Sequence, residues 1–276
     1  MITLIDAHAE LHRAHHAPMS DLTAPGGQPT KALYLFLRLV YKYAVDEGHD
    51  VTVCWDTPRE RLVRRRLYPD YKANRKERTP GSDDGLHSQM ALAKKILTDA
   101  GVVQARSIGW EADDVIAALC RRERRSGRQV QIIGRDKDLH QCLRDGVVMV
   151  NSSTGEITTH QDACVRWGVE SVRQIVELQT LIGDTTDNVP GVPGVGPVTA
   201  LKLIKRYGTA FNVLGHAGEQ SPALAKALSA TDYDLLRKMV KLNTRCRLQV
   251  LSKHKTVDFT RAKRTLDRLY VKHLDA

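Results

Sequence analysis

Ile2-Thr3-Leu4-Ile5-Asp6 is a short, largely apolar run closed by an acid. The pattern returns at Val51-Thr52-Val53-Cys54-Trp55-Asp56 and at Val130-Gln131-Ile132-Ile133, shortly before Asp136. Runs of this length and composition read as buried strands. Between them lie helical patterns. Lys31 to Val45 has apolar residues at Leu33, Phe36, Leu37 and Val40, and Gln89 to Ala100 has them at Leu92, Ile96 and Leu97. Strands alternating with helices imply a parallel sheet covered on both faces. In such a sheet the ligand site lies beyond the carboxyl ends of the strands, so Asp6, Asp56 and Asp136 are expected at one edge. Val147 to Val150 reads as a fourth strand, and Asn151 to Ile157 as a hairpin around Thr154-Gly155.

Two stretches depart from this alternation. Thr57 to Ser88 is long, basic and punctuated by Pro58, Pro69, Pro80 and Gly81; its cations include Arg59, Arg61, Arg64, Arg65, Arg66, Lys72, Arg75, Lys76 and Arg78. A loop of that length inside a compact domain is functional or disordered. From about Ser171 the pattern is helical, at Val172 to Leu181, Val198 to Tyr207, Pro222 to Leu228 and Tyr233 to Leu242, with a basic amphipathic tail from Arg261 to Ala276. The expected division is an α/β core over 1–170 and a helical region over 171–276, packed together without a low-complexity linker.

Acids gather in three further places: Glu111-Ala112-Asp113-Asp114, Asp136-Lys137-Asp138, and Asp184 with Asp187 inside Gly183-Asp184-Thr185-Thr186-Asp187-Asn188. Each has an ordinary reading. Acids in a first helical turn complement the helix dipole, and Asp is common in turns. Glu111 and Asp114, three apart, share a face and can aim at one target. Taken together, nine carboxylates converging on one sheet edge repel one another unless cations sit among them. Oxygen ligands without Cys or His favour Mg²⁺ or Mn²⁺ over zinc. Two such ions can activate a water and stabilise a leaving oxygen, so no protein nucleophile is needed. His8, His12, His15 and His16 lie near the first acid but read more simply as packing or surface residues.

The 276 residues are 42% hydrophobic, enough for a core, and carry 42 Lys and Arg against 32 Asp and Glu, a formal charge of +10 that attracts polyanions. The five cysteines form no CxxC pair and are odd in number, which argues against a disulfide framework or zinc knuckle. A carboxylate at position 6 comes too early for a signal-peptide core, and no apolar run approaches membrane-spanning length. The expectation is a soluble, cytoplasmic protein of a bacterial or phage-infected cell, with no membrane partner, and a monomer.

Leu4-Ile5-Asp6-Ala7-His8, Val53-Cys54-Trp55-Asp56, Tyr68-Pro69-Asp70-Tyr71-Lys72-Ala73-Asn74-Arg75, Glu111 to Asp114, Asp136 to Leu139 and Gly183 to Asn188 occur in the order found in flap endonucleases. Over roughly Met1 to Leu251 the chain resembles the 5′ nuclease domain of bacterial DNA polymerase I and the free-standing bacteriophage 5′ nucleases. The resemblance implies a PIN-like sheet, a helical arch at about 57–88 and a helix-hairpin-helix (H3TH) region. It implies a flap endonuclease and 5′-3′ exonuclease using two or more Mg²⁺ or Mn²⁺ ions. Asp6, Asp56, Glu111, Asp113 and Asp136 match the inner metal-site positions, and Asp138, Asp184 and Asp187 those of the second site, with Asp114 close to both.

Arg13 matches a family arginine that approaches the scissile phosphate, and its alternative is a surface helix residue. Lys72 and Arg75 match catalytic basic residues of the arch, where the run of cations would form a funnel for single-stranded DNA. Tyr71 either stacks on a base or packs the arch. Val189 to Ala200 resembles the hairpin element, where Gly191, Gly194 and Gly196 would let the backbone approach phosphates and a K⁺ ion is a further candidate. Many polymerase-linked members carry an acid and a lysine where this chain has Pro197 and Val198, so phosphate contact is expected to shift to Lys202, Lys205 or Arg206. No polymerase segment follows, so the chain is expected to act as a nuclease on its own. The partners implied are DNA molecules with 5′ flaps, branches or free 5′ ends. Two other readings stay open: a catalytically silent DNA-binding replication scaffold, and an RNA-directed PIN-like or RNase H-type nuclease.

Overall fold

The computed structural model describes residues 1–75, 85–252, 256–269 and 271. The remainder of the basic connection, with Lys76, Arg78, Pro80 and Gly81, lies outside them, as does most of the tail beyond 269.

The strands are β1 Ile2–Asp6, β2 Asp50–Trp55, β3 Val103–Arg106, β4 Val130–Ile133, β5 Val147–Val150, β6 Ile157–Thr158 and β7 Gln249–Ser252, in the sheet order β6-β5-β4-β1-β2-β3-β7. The five inner strands are parallel, while β6 and β7 are antiparallel caps on the two edges. β1 lies in the middle, with Ile5 opposite both Val53 and Ile133, so the chain leaves β1, β2 and β4 along one edge.

Alternation along β1 explains why both sheet faces are dry. Ile2 and Leu4 join one apolar cluster and Ile5 the other. The first cluster packs α5 Ala112–Arg125 against the sheet and runs on into the helical part. The second packs α1 Ala7–His15, α2 Lys31–Tyr41 and α4 Leu86–Asp99, while α3 Val63–Leu67 lies in the basic connection. On α2 the residues Leu33, Phe36, Leu37 and Val40 are all fully buried, and Phe36 meets the Trp55 ring edge-on at 6.4 Å. Burial of each such side chain contributes about 1.5–3 kcal/mol. The helical stretch expected to reach Val45 does so in two forms, because the hydrogen bonding widens to a π-helical turn at Lys42–Asp46.

The helical part comprises α6 His160–Trp167, α7 Arg173–Ile182, α8 Pro197–Tyr207, α9 Ala210–Gly215, α10 Pro222–Ser229 and α11 Tyr233–Val240. It does not end the molecule. β7 returns to pair with β3, and the segment around the short helix α12 Lys263–Arg268 buries Phe259, Ala262, Leu266 and Val271 in the cluster under α2 and α4. Residues 171–276 are therefore not purely helical. Two strands escape the sequence reading, β3 and β7. In β3 the polar Gln104 is buried but satisfied, accepting from Trp55 Nε1 at 2.9 Å and donating to the Lys94 carbonyl at 3.1 Å.

Among the described residues no helix is long and apolar enough to cross a membrane. All five cysteines are free thiols.

Candidate active site

Each acid is placed by the end of an element. Asp6 closes β1 and caps α1, accepting from Ala9 N at 2.9 Å. Asp56 follows β2 and accepts from Ala112 N at 2.7 Å, which ties it to the start of α5; His8 Nδ1 lies 3.4 Å from its other oxygen. Asp136 follows β4 and accepts from Asp138 N at 2.9 Å. Glu111 and Asp113 stand at the N-terminus of α5. Asp184 and Asp187 occupy the turn after α7, where Asp184 accepts from Thr186 N at 2.8 Å.

A cavity of ≈ 80 Å³ is lined by Glu111, Asp113, Asp136, Asp138, Asp184 and Asp187, together with Arg64, Tyr71, Lys72, Arg75 and Lys137. Asp6 and Asp56 lie just behind it, near enough to Asp113 to raise its proton affinity. The electrostatic consequence is plain. Burial first, then the charge of Asp56, pushes the Asp6 carboxyl up to about 8. Burial and Asp136 push Asp138 up to about 7. Asp113 is raised well above the carboxylate range by burial and by Asp6 and Asp136, and its buried Oδ1 has no hydrogen-bond partner among the described residues.

Among the described residues no three such groups are drawn in around a single point. The chain's own cations bridge the acids instead. Lys72 donates to Glu111 and lies 3.3 Å from Asp187, Arg75 donates to Asp187 at 2.8 Å, and Lys137 lies 3.1 Å from Asp184. Burial opposes the charge on Glu111, but Lys72 and Arg64 outweigh it and hold its carboxyl below the ordinary value. Lys72 adopts a left-handed backbone, φ +56°, and its N–H donates to the Asp187 carbonyl at 2.8 Å. Such strain in a non-glycine residue persists only where its surroundings over-determine it. An all-oxygen donor set, an orphaned buried oxygen and carboxyls driven to hold protons suit hard divalent cations.

Asp114 is placed apart from the acids that line the cavity. It is fully buried and accepts from Arg64 Nη1 at 2.6 Å, Arg64 Nη2 at 2.8 Å and Asn243 N at 2.7 Å, so its oxygens are taken. Glu111 and Asp114 do share one target, but it is the Arg64 guanidinium. Tyr71 is only 2% exposed, with its ring among Leu62, Val176 and Leu236 and its hydroxyl donating to Glu111 and Asp187, so it packs this region and has no free face for a base. Arg13 donates to Glu10 at 2.6 Å and lines a separate hollow with His12, His16 and Arg135, outside the acid cavity. The sequence does not single out Arg64 or Lys137 as part of the site. Lys137 stands inside one of the acid clusters, which is signal enough to find it, whereas nothing sets Arg64 apart from its basic neighbours.

The glycines divide. A Cβ on Gly191 would lie 2.2 Å from the Ile182 carbonyl oxygen, so this glycine lets the turn fold back on the end of α7. Gly191→Ala is expected to destabilise the protein by about 3 kcal/mol, since backbone atoms cannot yield as side chains do; an unchanged denaturation midpoint would refute the packing role. Gly194 and Gly196 are exposed, with nothing within 4 Å of an added Cβ, and Gly196 caps α8. Lys202 and Lys205 lie on α8, while Arg206 is already paired with Glu219 at 2.8 Å.

Residues 1–168 match the family model described as 5′-3′ exonuclease, N-terminal resolvase-like domain, and 170–264 match 5′-3′ exonuclease, C-terminal SAM fold. The chain belongs to the 5′-3′ exonuclease family. It is 33% identical to a 5′-3′ exonuclease of Aquifex aeolicus, over 98% of this chain and 92% of that one. It is 31% identical to the thermostable DNA polymerase I of Thermus thermophilus, over 97% of this chain but only 32% of the polymerase. Among solved structures it resembles T5 5′-exonuclease with bound zinc (TM-score 0.69, 21% identity, 88% of this chain and 90% of that one). It also resembles the catalytic core of Rad2 in complex with DNA substrate (TM-score 0.52, 17% identity, 89% and 72%). The fold expected from the sequence and the class of activity, a 5′ nuclease, both hold for this family member.

Proposed function

We propose that the acid cavity hydrolyses phosphodiester bonds in DNA carrying 5′ flaps, branches or free 5′ ends. The observation that carries this reading is the crowding of Asp6, Asp113 and Asp138 around the charge of Asp136, with burial and mutual repulsion that only added positive charge relieves. Asp6, Asp56, Glu111, Asp113 and Asp136 would hold one Mg²⁺ or Mn²⁺, and Asp138, Asp184 and Asp187 a second. Bound there, such ions lower the pKa of water and offset charge on the leaving oxygen.

The chain's own residues do the rest. Lys72 and Arg75, held at the cavity by Glu111 and Asp187, meet the negative charge of the phosphodiester. Arg13 serves the adjoining strand from its separate hollow. Duplex phosphates approach the open backbone at Gly194 and Gly196, where a K⁺ ion is a further candidate, with Lys202 and Lys205 on the helix that follows. The protein works as a cytoplasmic monomer. The test is a labelled 5′-flap substrate with Mg²⁺ or Mn²⁺: metal-dependent release of the flap is expected, and its absence from the purified protein, with Asp136→Ala behaving identically, refutes the reading.

A further inference from the structure

On the far side of the wall made by Arg64 and Leu242, which line both spaces, lies a much larger groove of ≈ 1010 Å³. It follows α5 from Ala117 to Arg125, with its other side formed by the start of α7, the end of α11 and residues 241–245. Its lining is rich in arginine and lysine, including Arg121, Arg124, Arg125, Arg144, Arg173 and Arg245, and Glu177 is the only acid among the described lining residues. That acid is already spent, paired with Arg237 at 2.9 Å and accepting from Ala210 N at 3.1 Å.

We infer that this groove binds the backbone of single-stranded nucleic acid leading away from the acid cavity. Three features select that occupant. The surplus of cations calls for a polyanion rather than a single anion. The volume takes a few nucleotides of one strand and is too small for a duplex. Trp110 also lines the groove, an aromatic of the kind on which bases stack without sequence preference. The crowding of Arg121 by Arg125 and Arg245, and of Lys241 by Arg237 and Arg245, adds to burial in weakening their hold on protons, the mirror image of the acids across the wall.

This goes beyond the nuclease reading, and its test is separable from it because EDTA silences cutting. Anisotropy of a labelled oligo-dT in EDTA is compared between the wild type and the triple variant Arg124→Glu, Arg125→Glu, Arg245→Glu, whose sites are exposed. Affinity is expected to fall at least about tenfold, and the slope of log K against log salt to shrink by roughly two, at ~0.7 per single-strand phosphate contact. A control with equal charge change on the opposite side, Arg38→Glu, Lys42→Glu, Lys95→Glu, is expected to lose much less. Equal loss in the control would reduce the effect to net charge, and equal loss for a blunt hairpin duplex would assign the groove to duplex; either overturns the inference. The milder triple variant to Gln, monitored by circular dichroism, is expected to show the same ordering even if the Glu variant folds poorly, and unaltered oligo-dT binding by a folded Gln variant overturns it too.

Discussion

Arg64→Ala is expected to destabilise the protein by about 3–5 kcal/mol, the usual cost of stripping one partner from a buried ion pair. The residue is 4% exposed and all five of its side-chain N–H groups are used. Nε donates to the Met239 carbonyl at 3.0 Å, Nη1 to Asp114 at 2.6 Å and Glu111 at 3.0 Å, and Nη2 to Asp114 at 2.8 Å and the Lys241 carbonyl at 3.0 Å. One guanidinium thus fastens α3 to the head of α5 and the end of α11. Its removal strands the fully buried Asp114 carboxylate. Lysine cannot replace the planar fork, so Arg64→Lys is expected to recover only part of the loss. The double variant Arg64→Met, Asp114→Leu should be less damaged than either single change, because no lone charge is left inside. Equilibrium denaturation measures these proteins side by side; a loss below about 1 kcal/mol in Arg64→Ala, against the cost expected for a buried pair, would show that the pair is not holding these elements together.

Asp6→Asn is expected to do two opposite things: abolish most of the nuclease activity and stabilise the metal-free protein. In the proposed role of metal ligand, Asp6 supplies several kcal/mol of transition-state stabilisation, so roughly a 10³-fold drop in rate is expected without it. For stability, the folded-state pKa of Asp6 is about 8 against an ordinary 3.8. The folded chain therefore holds a proton that the unfolded chain has released between about pH 4 and 8, and its stability falls as pH rises through that window. Each tenfold difference in proton affinity between the two states corresponds to about 1.4 kcal/mol, which puts the effect at several kcal/mol at the alkaline end. Asparagine keeps an oxygen to cap α1 but carries no charge, so in EDTA the variant should exceed the wild type at about pH 8 and match it near pH 4. Thermal melts across that range decide it, and a variant less stable than wild type at the alkaline end would contradict the crowding.

Some of this is legible in the sequence, and the rest is hidden for physical reasons. β1, β2 and β4 are buried on both faces and so are written as apolar runs, which also locate Asp6, Asp56 and Asp136. β3 is hidden because Gln104 and Arg106 break the apolar run, and only the tertiary bonds to Trp55 and Lys94 make Gln104 tolerable inside. β7, on an edge and joined to β3 from far along the chain, leaves Val250 and Leu251 exposed and shows no local signal. The i, i+3 spacing of Glu111 and Asp114 correctly announces a shared target. It cannot say whether that target is a metal or a guanidinium, because Arg64 arrives from 47 residues earlier.

The return of β7 to β3 has a mechanical corollary. A part of a protein joined at one point swings on its joint; joined at two, it behaves as a bracket. Here the polypeptide leaves the sheet at β6, builds the stack of helices and is stitched back at the opposite rim by backbone hydrogen bonds. The Gly194–Gly196 turn is consequently carried on a part of the chain anchored to the sheet on both sides. On the proposed function, a substrate gripped at that turn would present the same bond to the acids each time.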